Sequence, residues 1–212
     1  MAQMHVDYRV LGMISTNTYF LINKETNEAI VVDPADSASY IMKQFELRGW
    51  KLSAILLTHG HFDHINGANQ LRALSGAKIY AYIDEKKMLE DAVMNRSKVW
   101  ADAVTVEADE FFSDGQEVTL AGLDFTVIHT PGHTPGSCCY YFKDNGVLIA
   151  GDTLFCESFG RTDLDGGSMV QIVDSLHNKL FKLPPETVVY PGHGEFTSIE
   201  HELSYNPLCQ IF

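Results

Sequence analysis

Basic residues are scarce in this chain: 15 Lys and Arg stand against 28 Asp and Glu, a formal net charge of -13 over 212 residues. A surface of that sign repels a phosphate backbone and is not steered to an anionic membrane, so neither nucleic acid nor membrane is an expected partner. Cysteine is equally sparse. Cys138, Cys139, Cys156 and Cys209 include no CxxC spacing, which argues against a zinc ribbon and a disulfide framework. No apolar run approaches the ~20 residues of a membrane span, and MAQMHVDYRVLG lacks a cationic start followed by an apolar core. A cytoplasmic protein is expected. Low-complexity segments, short repeats and Ser/Pro/Gly-rich linkers are missing too, so residues 1–212 read as one domain.

What is present is an interleaving of strand and helix patterns. MHVDYRVLG alternates, NTYFLIN and EAIVVDP are β-rich, and antiparallel hairpins are the simplest arrangement for them. Asp36 or Ser37 could cap a helix running to Gly49. LSAILLT has the continuous apolar character of a strand covered on both sides. A helix over about 65–74, the strand KIYAYI and a helical stretch over 84–93 complete the first half. The second half adds a hairpin turning at Ala121-Gly122, the strands SCCYYF and GVLIAGD, a helix over about 168–181, and TVVYPGHG. Alternation along SCCYYF sends Tyr140 and Tyr141 to opposite faces. The class expected is α/β.

Four segments share one design, an apolar run, a small-residue turn and then a residue able to bind metal: AILLTHGHFDH, FTVIHTPGH, GVLIAGD and TVVYPGH. If their C-terminal ends meet at one edge, His59, His61, Asp63, His64, His133, Asp152 and His193 arrive together. Imidazoles and carboxylates suit zinc, iron or manganese. Seven such groups exceed the needs of one tetrahedral ion, whereas two ions ~3.5–4 Å apart sharing a carboxylate would use them all. His5, His129, His177 and His201 stand singly and are read as ordinary structural or surface residues, and Cys156 as a small buried hydrophobe.

THGHFDH with TPGHTPGS, GDTLF and PGHG resembles the metallo-β-lactamase superfamily of hydrolases over essentially the whole chain. The resemblance implies an αββα four-layer sandwich, two packed mixed sheets with helices outside and the metals at one edge. It assigns His59, His61 and His133 to a first metal, Asp63, His64 and His193 to a second, and Asp152 to the bridge, with zinc the first choice and iron or manganese the alternatives. Asp63 and Asp152 are then also the catalytic carboxylates. GDTLF followed by GRTDLDGG, and a tail with GHG, looks like the short members of the glyoxalase II group. Their reaction is hydrolysis of a small acyl-thioester such as S-lactoylglutathione, by a hydroxide held between the ions.

Arg161 stands where longer glyoxalase II enzymes carry a basic residue that contacts glutathione; the plain alternative is an ion pair with Asp163 or Asp165. Nineteen residues follow His193, so the helical domain of the longer enzymes is not expected. Asp163 replaces an aromatic residue near that loop, and Glu195 and Glu200 fall where short members often have Pro and Gly. A persulfide dioxygenase, with one iron on His59, His133 and Asp152, shares the GRTD motif and is the rival reading; a lactonase or a nuclease of the same superfamily ranks lower. Loops 94–112 and 156–168 are expected to wall the pocket, and a monomer or homodimer is expected.

Overall fold

A computed structural model describes residues 2–100 and 102–209. Residues 1, 101 and 210–212 lie outside that description, and so do the parts of the expected 1–212 domain and 94–112 wall that fall on them.

The first sheet contains β1 (Met4–Leu11), β2 (Thr16–Asn23), β3 (Glu28–Val32), β4 (Lys51–Leu56), β5 (Lys78–Tyr82) and β6 (Glu110–Phe112), hydrogen-bonded in that order. Its first three strands are antiparallel, as the short polar turns between them predict, and β3 to β6 run parallel. The second sheet contains β7 (Glu117–Leu120), β8 (Leu123–His129), β9 (Cys138–Phe142), β10 (Val147–Gly151), β13 (Val188–Pro191) and β14 (Thr197–Ser198), in the order β14-β13-β10-β9-β8-β7. A separate small hairpin, β11 (Leu154–Phe155) with β12 (Ser158–Phe159), follows β10.

The central strands of both sheets are covered on both faces, which is why they read as unbroken apolar runs. Tyr19 and Leu21 of β2 face a core between the sheets that also holds Ile30, Phe125, Tyr140 and Ile149. Their neighbours Phe20 and Ile22 face the opposite way, onto Ile41 and Phe45 of α1 (Ala38–Arg48) and Leu71 of α3 (Ala68–Ser75). On the far side, Cys139, Tyr141 and Leu148 pack under Ile172 and Leu176 of α6 (Met169–Asn178) and Ile199 of α7 (Ile199–Tyr205). The layers are therefore helix, sheet, sheet, helix, as expected. Tyr140 and Tyr141 do point to opposite faces, and both are buried.

Several local expectations need correction. The helix expected over 65–74 is two pieces, a single turn α2 (Phe62–Ile65) and then α3, because Gly67 interrupts it. A Cβ on Gly67 would come within 2.8 Å of the Pro34 carbonyl oxygen, so the break is enforced by a close backbone approach. The stretch 84–93 holds only a 3-10 turn and the short α4 (Lys86–Leu89); a second short helix, α5 (Ser97–Trp100), follows it. Ser37 precedes α1 in a left-handed conformation without a side-chain cap. Ser168, by contrast, caps α6 by accepting from Gln171 N. Cys156 is half-buried on the β11–β12 hairpin rather than inside the core.

Candidate metal centre

β4 runs straight into the THGHFDH turn. Its last residues are buried, so the turn leaves the sheet at the interior edge with no freedom to swing outward. β8, β10 and β13 end at the same edge and present His133, Asp152 and His193. All seven residues named from sequence come together. His59, His61 and His133 form one group whose ligand atoms lie within 4.8 Å of one another, and Asp63, His64 and His193 form a second.

Asp152 stands between them. Its Oδ2 is 3.5 Å from His133 Nε2 and 3.6 Å from His193 Nε2, and its Oδ1 is 3.4 Å from His64 Nε2. That approach requires a bare backbone opposite: a Cβ on Gly192 would sit 2.1 Å from Asp152 Oδ1 and 2.7 Å from His64 Cε1. The PGHG motif needs its first glycine for this reason.

Hydrogen bonds outside the ligand atoms fix which ring nitrogen faces inward. His133 Nδ1–H donates to the Arg161 carbonyl at 2.8 Å, leaving Nε2 as the lone pair, and this Nε2 faces His61 Nδ1 at 2.9 Å. Thr58 Oγ1–H donates to Asp33 Oδ2 at 2.6 Å, so the same hydroxyl accepts from His59 Nδ1–H at 3.2 Å. His59 Nε2 is then an inward lone pair with no hydrogen bond, and His61 Nε2 and Asp152 Oδ1 are also buried without one, the last having only His64 Nε2 at 3.4 Å. Converging nitrogen lone pairs and an orphaned carboxylate oxygen are costly in a protein interior, and cations are what they suit. The residues fit metal.

The electrostatics differ between the groups. Burial, with the neighbouring imidazoles, pushes His59 well below the ordinary histidine range, His61 to about 3, and His133 downward. Burial opposes protonation of His64 as well, but Asp63, Asp152 and Asp33 outweigh it and hold His64 well above that range; His193 is raised through Asp63 and Asp152. The same cations carry Asp152 down to about 2 and Asp63 lower, against the upward pull of burial.

Three supporting residues escape the sequence reading. Asp33 accepts from Thr58 N, Thr58 Oγ1 and His64 Nδ1, and so orients one histidine of each group. VVDP repeats the pattern of an apolar strand followed by an acid, and that signal could have found it. Thr16 Oγ1 donates to Asp63 Oδ2 at 2.9 Å. Glu85, fully buried, accepts from Gly60 N between His59 and His61, and from Thr134 Oγ1 and Gly136 N beyond His133. Nothing in a charged DEKK stretch signals that role.

Arg161 lies at the pocket rim, and its guanidinium makes a two-bond pair with Asp163 at 2.7 and 2.8 Å. Its carbonyl, not its side chain, contacts a metal-binding residue. The other histidines stay outside the site: His129 stacks on Tyr82, His177 and His201 bond Leu208 O and Glu157, and His5 is exposed on β1. Cys156, His201 and Glu202 also cluster, but Glu202 already accepts from Glu157 N, Thr197 Oγ1 and Asn206 Nδ2.

The cavity over the metal groups has a volume of about 530 Å³ and is lined from both expected loops, by Arg96 and Trp100 on one side and by Ser158, Phe159, Arg161 and Leu164 on the other. Among the described residues, no helix is long and apolar enough to cross a membrane.

Two clusters of residues able to hold metal, at the edge of an αββα sandwich, define the class, and comparison with known proteins gives the family. Residues 11–193 match the metallo-beta-lactamase superfamily, and the chain belongs to it. It is 36% identical over 204 residues to the probable metallo-hydrolase YqgX of Bacillus subtilis, covering 95% of this chain and 96% of that one. It is 31% identical over 191 residues to the hydroxyacylglutathione hydrolase GloC of Haemophilus influenzae, covering 88% and 90%. Among solved structures, the BLEG-1 B3 metallo-beta-lactamase superposes with a TM-score of 0.92 at 38% identity, over 97% of this chain and 99% of that one. TTHA1623 in a di-iron-bound form gives 0.84 at 30% identity, over 95% and 98%. ETHE1 from Myxococcus xanthus gives 0.79 at 30% identity, over 98% and 85%.

Proposed function

We propose that this metallo-hydrolase cleaves acyl thioesters in the manner of glyoxalase II, with His59, His61 and His133 holding one divalent ion and Asp63, His64 and His193 a second. The observation that carries the reading is Asp152, whose two oxygens face histidines of both groups. Two ions bound there would make a water acidic enough to attack at neutral pH and would stabilise charge on the carbonyl oxygen. Zinc is the first choice for such nitrogen and oxygen donors; the di-iron form of one structural neighbour supports keeping iron beside it.

The chain's own residues do the rest. Asp63 and Asp152, both drawn against burial below the ordinary carboxylate range by His64 and His193, would accept hydrogen bonds from the attacking water and keep its oxygen toward the cavity. Hydrolysis joins that oxygen to the carbonyl carbon and breaks the C–S bond, and the departing sulfur takes up a proton to give an acid and a thiol. His61, His133 and Asp63 form a buried floor to the cavity, where charges interact more strongly than in bulk water. The match to GloC supports the thioester class.

An iron-dependent persulfide dioxygenase is the second reading, because Asp152 Oδ2 and His133 Nε2, two members of its triad with His59, do converge. The second group is common to both readings; the GDTLF motif together with the tail after PGHG favours the hydrolase. One preparation decides between the two: elemental analysis, hydrolysis of a thioester panel that includes S-lactoylglutathione, and oxygen uptake with glutathione persulfide. Close to two metals per chain with thioester cleavage is the expected result. One iron per chain with oxygen uptake and no hydrolysis would overturn it, as would β-lactam cleavage without thioester cleavage.

A further inference from the structure

The walls of the cavity narrow the substrate. Resting on the thioester-hydrolase reading above, we infer that the preferred substrates carry an apolar acyl group on a thiol with no carboxylate. Asp163, which already fills the Arg161 guanidinium, is the residue that turns anionic thiol carriers away.

The apolar half of the argument starts at the mouth. Trp100 and Ile14 both line the cavity, yet they remain 60% and 46% exposed. Large apolar side chains left in water at the rim of a concave site mark a surface that gains by being covered. Phe62, Phe155, Phe159 and Leu164 continue this surface inward, and the Phe155 ring stands 6.3 Å from that of His193. An acyl chain or an aryl ring held between these walls has its carbonyl end at the metal groups.

The polar half concerns the two cations on the rim. Arg161 Nε and Nη2 each donate to Asp163, a geometry that uses the fork a carboxylate would otherwise occupy. Arg96 lies 3.8 Å from Asp165. The two arginines are thus matched by two acids on the same loop, and the rim offers no unmatched positive charge from them. An exposed ion pair is weak and can open. Opening it for a substrate carboxylate exchanges one carboxylate for another and leaves Asp163 facing the incoming charge, which discriminates by repulsion. An uncharged carrier meets no such opposition.

Metal-loaded protein would be assayed with three thioesters: hexanoyl and phenylacetyl esters of N-acetylcysteamine, and S-lactoylglutathione. The expected kcat/KM is at least about tenfold higher for the two apolar esters, the scale on which apolar pockets discriminate. Asp163→Asn frees Arg161 and should shift the ratio about tenfold toward S-lactoylglutathione, through KM. Trp100→Ala should shift the hexanoyl ratio in the same direction, by raising KM for the hexanoyl ester while S-lactoylglutathione is little changed. Both positions are exposed, so the variants keep the fold. A wild-type preference for S-lactoylglutathione, or an unchanged ratio in Asp163→Asn, would overturn the inference while leaving thioester hydrolysis standing. Cleavage of none of the three would overturn the thioester reading itself.

Discussion

The two sheets build the same site by different means. The first delivers four of the seven groups on one turn after β4, while the second delivers one residue from each of three strand ends, β8, β10 and β13. A single turn is held by what lies directly behind it, here Asp33 and Glu85. Residues converging from three strands depend instead on register and on how the sheets meet. Cross-sheet bonds supply that. Cys138 N donates to Thr58 O at 2.9 Å, and Asn17 of β2 binds the His193 loop through its own N–H to Gly192 O at 2.7 Å and its side-chain amide to Pro191 O and Gly194 O. The comparison teaches that the compact turn is a local structure and the dispersed half a tertiary one.

The most damaging way to break that comparison is to remove the group the two halves share. Asp152→Ala should lower kcat/KM by about a hundred- to a thousandfold, the several kcal/mol that charge stabilisation in such a site supplies, and should lower the metal content with it. Elemental analysis that still finds two tightly held ions would contradict its place between the groups. Asp33→Ala comes next. Because Asp33 orients His59 through Thr58 and His64 directly, both ions should be weakened, by about 10- to 100-fold in chelator competition. Weakening of one ion alone would show that the Thr58 relay does not matter.

Asn17→Ala tests the dispersed half. It removes the side-chain bonds to Pro191 O and Gly194 O, while Tyr19 OH still serves Pro191 O, a loss of about 0.5–1.5 kcal/mol in urea unfolding. The affinity for the second ion should fall while the first is kept. Equal loss at both would dissolve the distinction between the halves.

A pH-dependent test concerns Glu85, behind the compact turn. Burial raises its pKa to about 7 from the usual 4.5, against the donors Gly60 N, Thr134 Oγ1 and Gly136 N. With the folded value above the unfolded one, its contribution to stability is full below pH 4.5 and is lost as pH rises through about 7. Metal-free Glu85→Gln should therefore lose on the order of 3 kcal/mol less than the parent across that interval, measured by denaturant unfolding at several pH values. Parallel curves would mean that Glu85 is ionised throughout. Its geometric role in bracing the two loops would survive that outcome.

The sequence by itself determined the interleaved strands and helices and singled out the ligand-type residues, and its resemblance to the superfamily implied the layers. Apolar runs buried on both faces can exist only between two layers, and four ligand-type side chains in THGHFDH leave little else for that turn to be. The tertiary structure decided the remainder. Asp33 ends an apolar run as Asp152 does, a signal the sequence holds, but only the fold sets it behind Thr58; Glu85 is one charge among several until the fold sets it behind Gly60. Whether Arg161 faces a substrate or Asp163 was open in the sequence, since both fit one loop, and the structure pairs it. The helix read over 65–74 starts later than expected, at Ala68, for a related reason. Its periodicity is local, whereas the contact with the Pro34 carbonyl that breaks it at Gly67 comes from a residue more than thirty positions away. Pattern and spacing record what a residue does along the chain; a buried hydrogen bond or a steric limit set by a distant segment leaves no mark there.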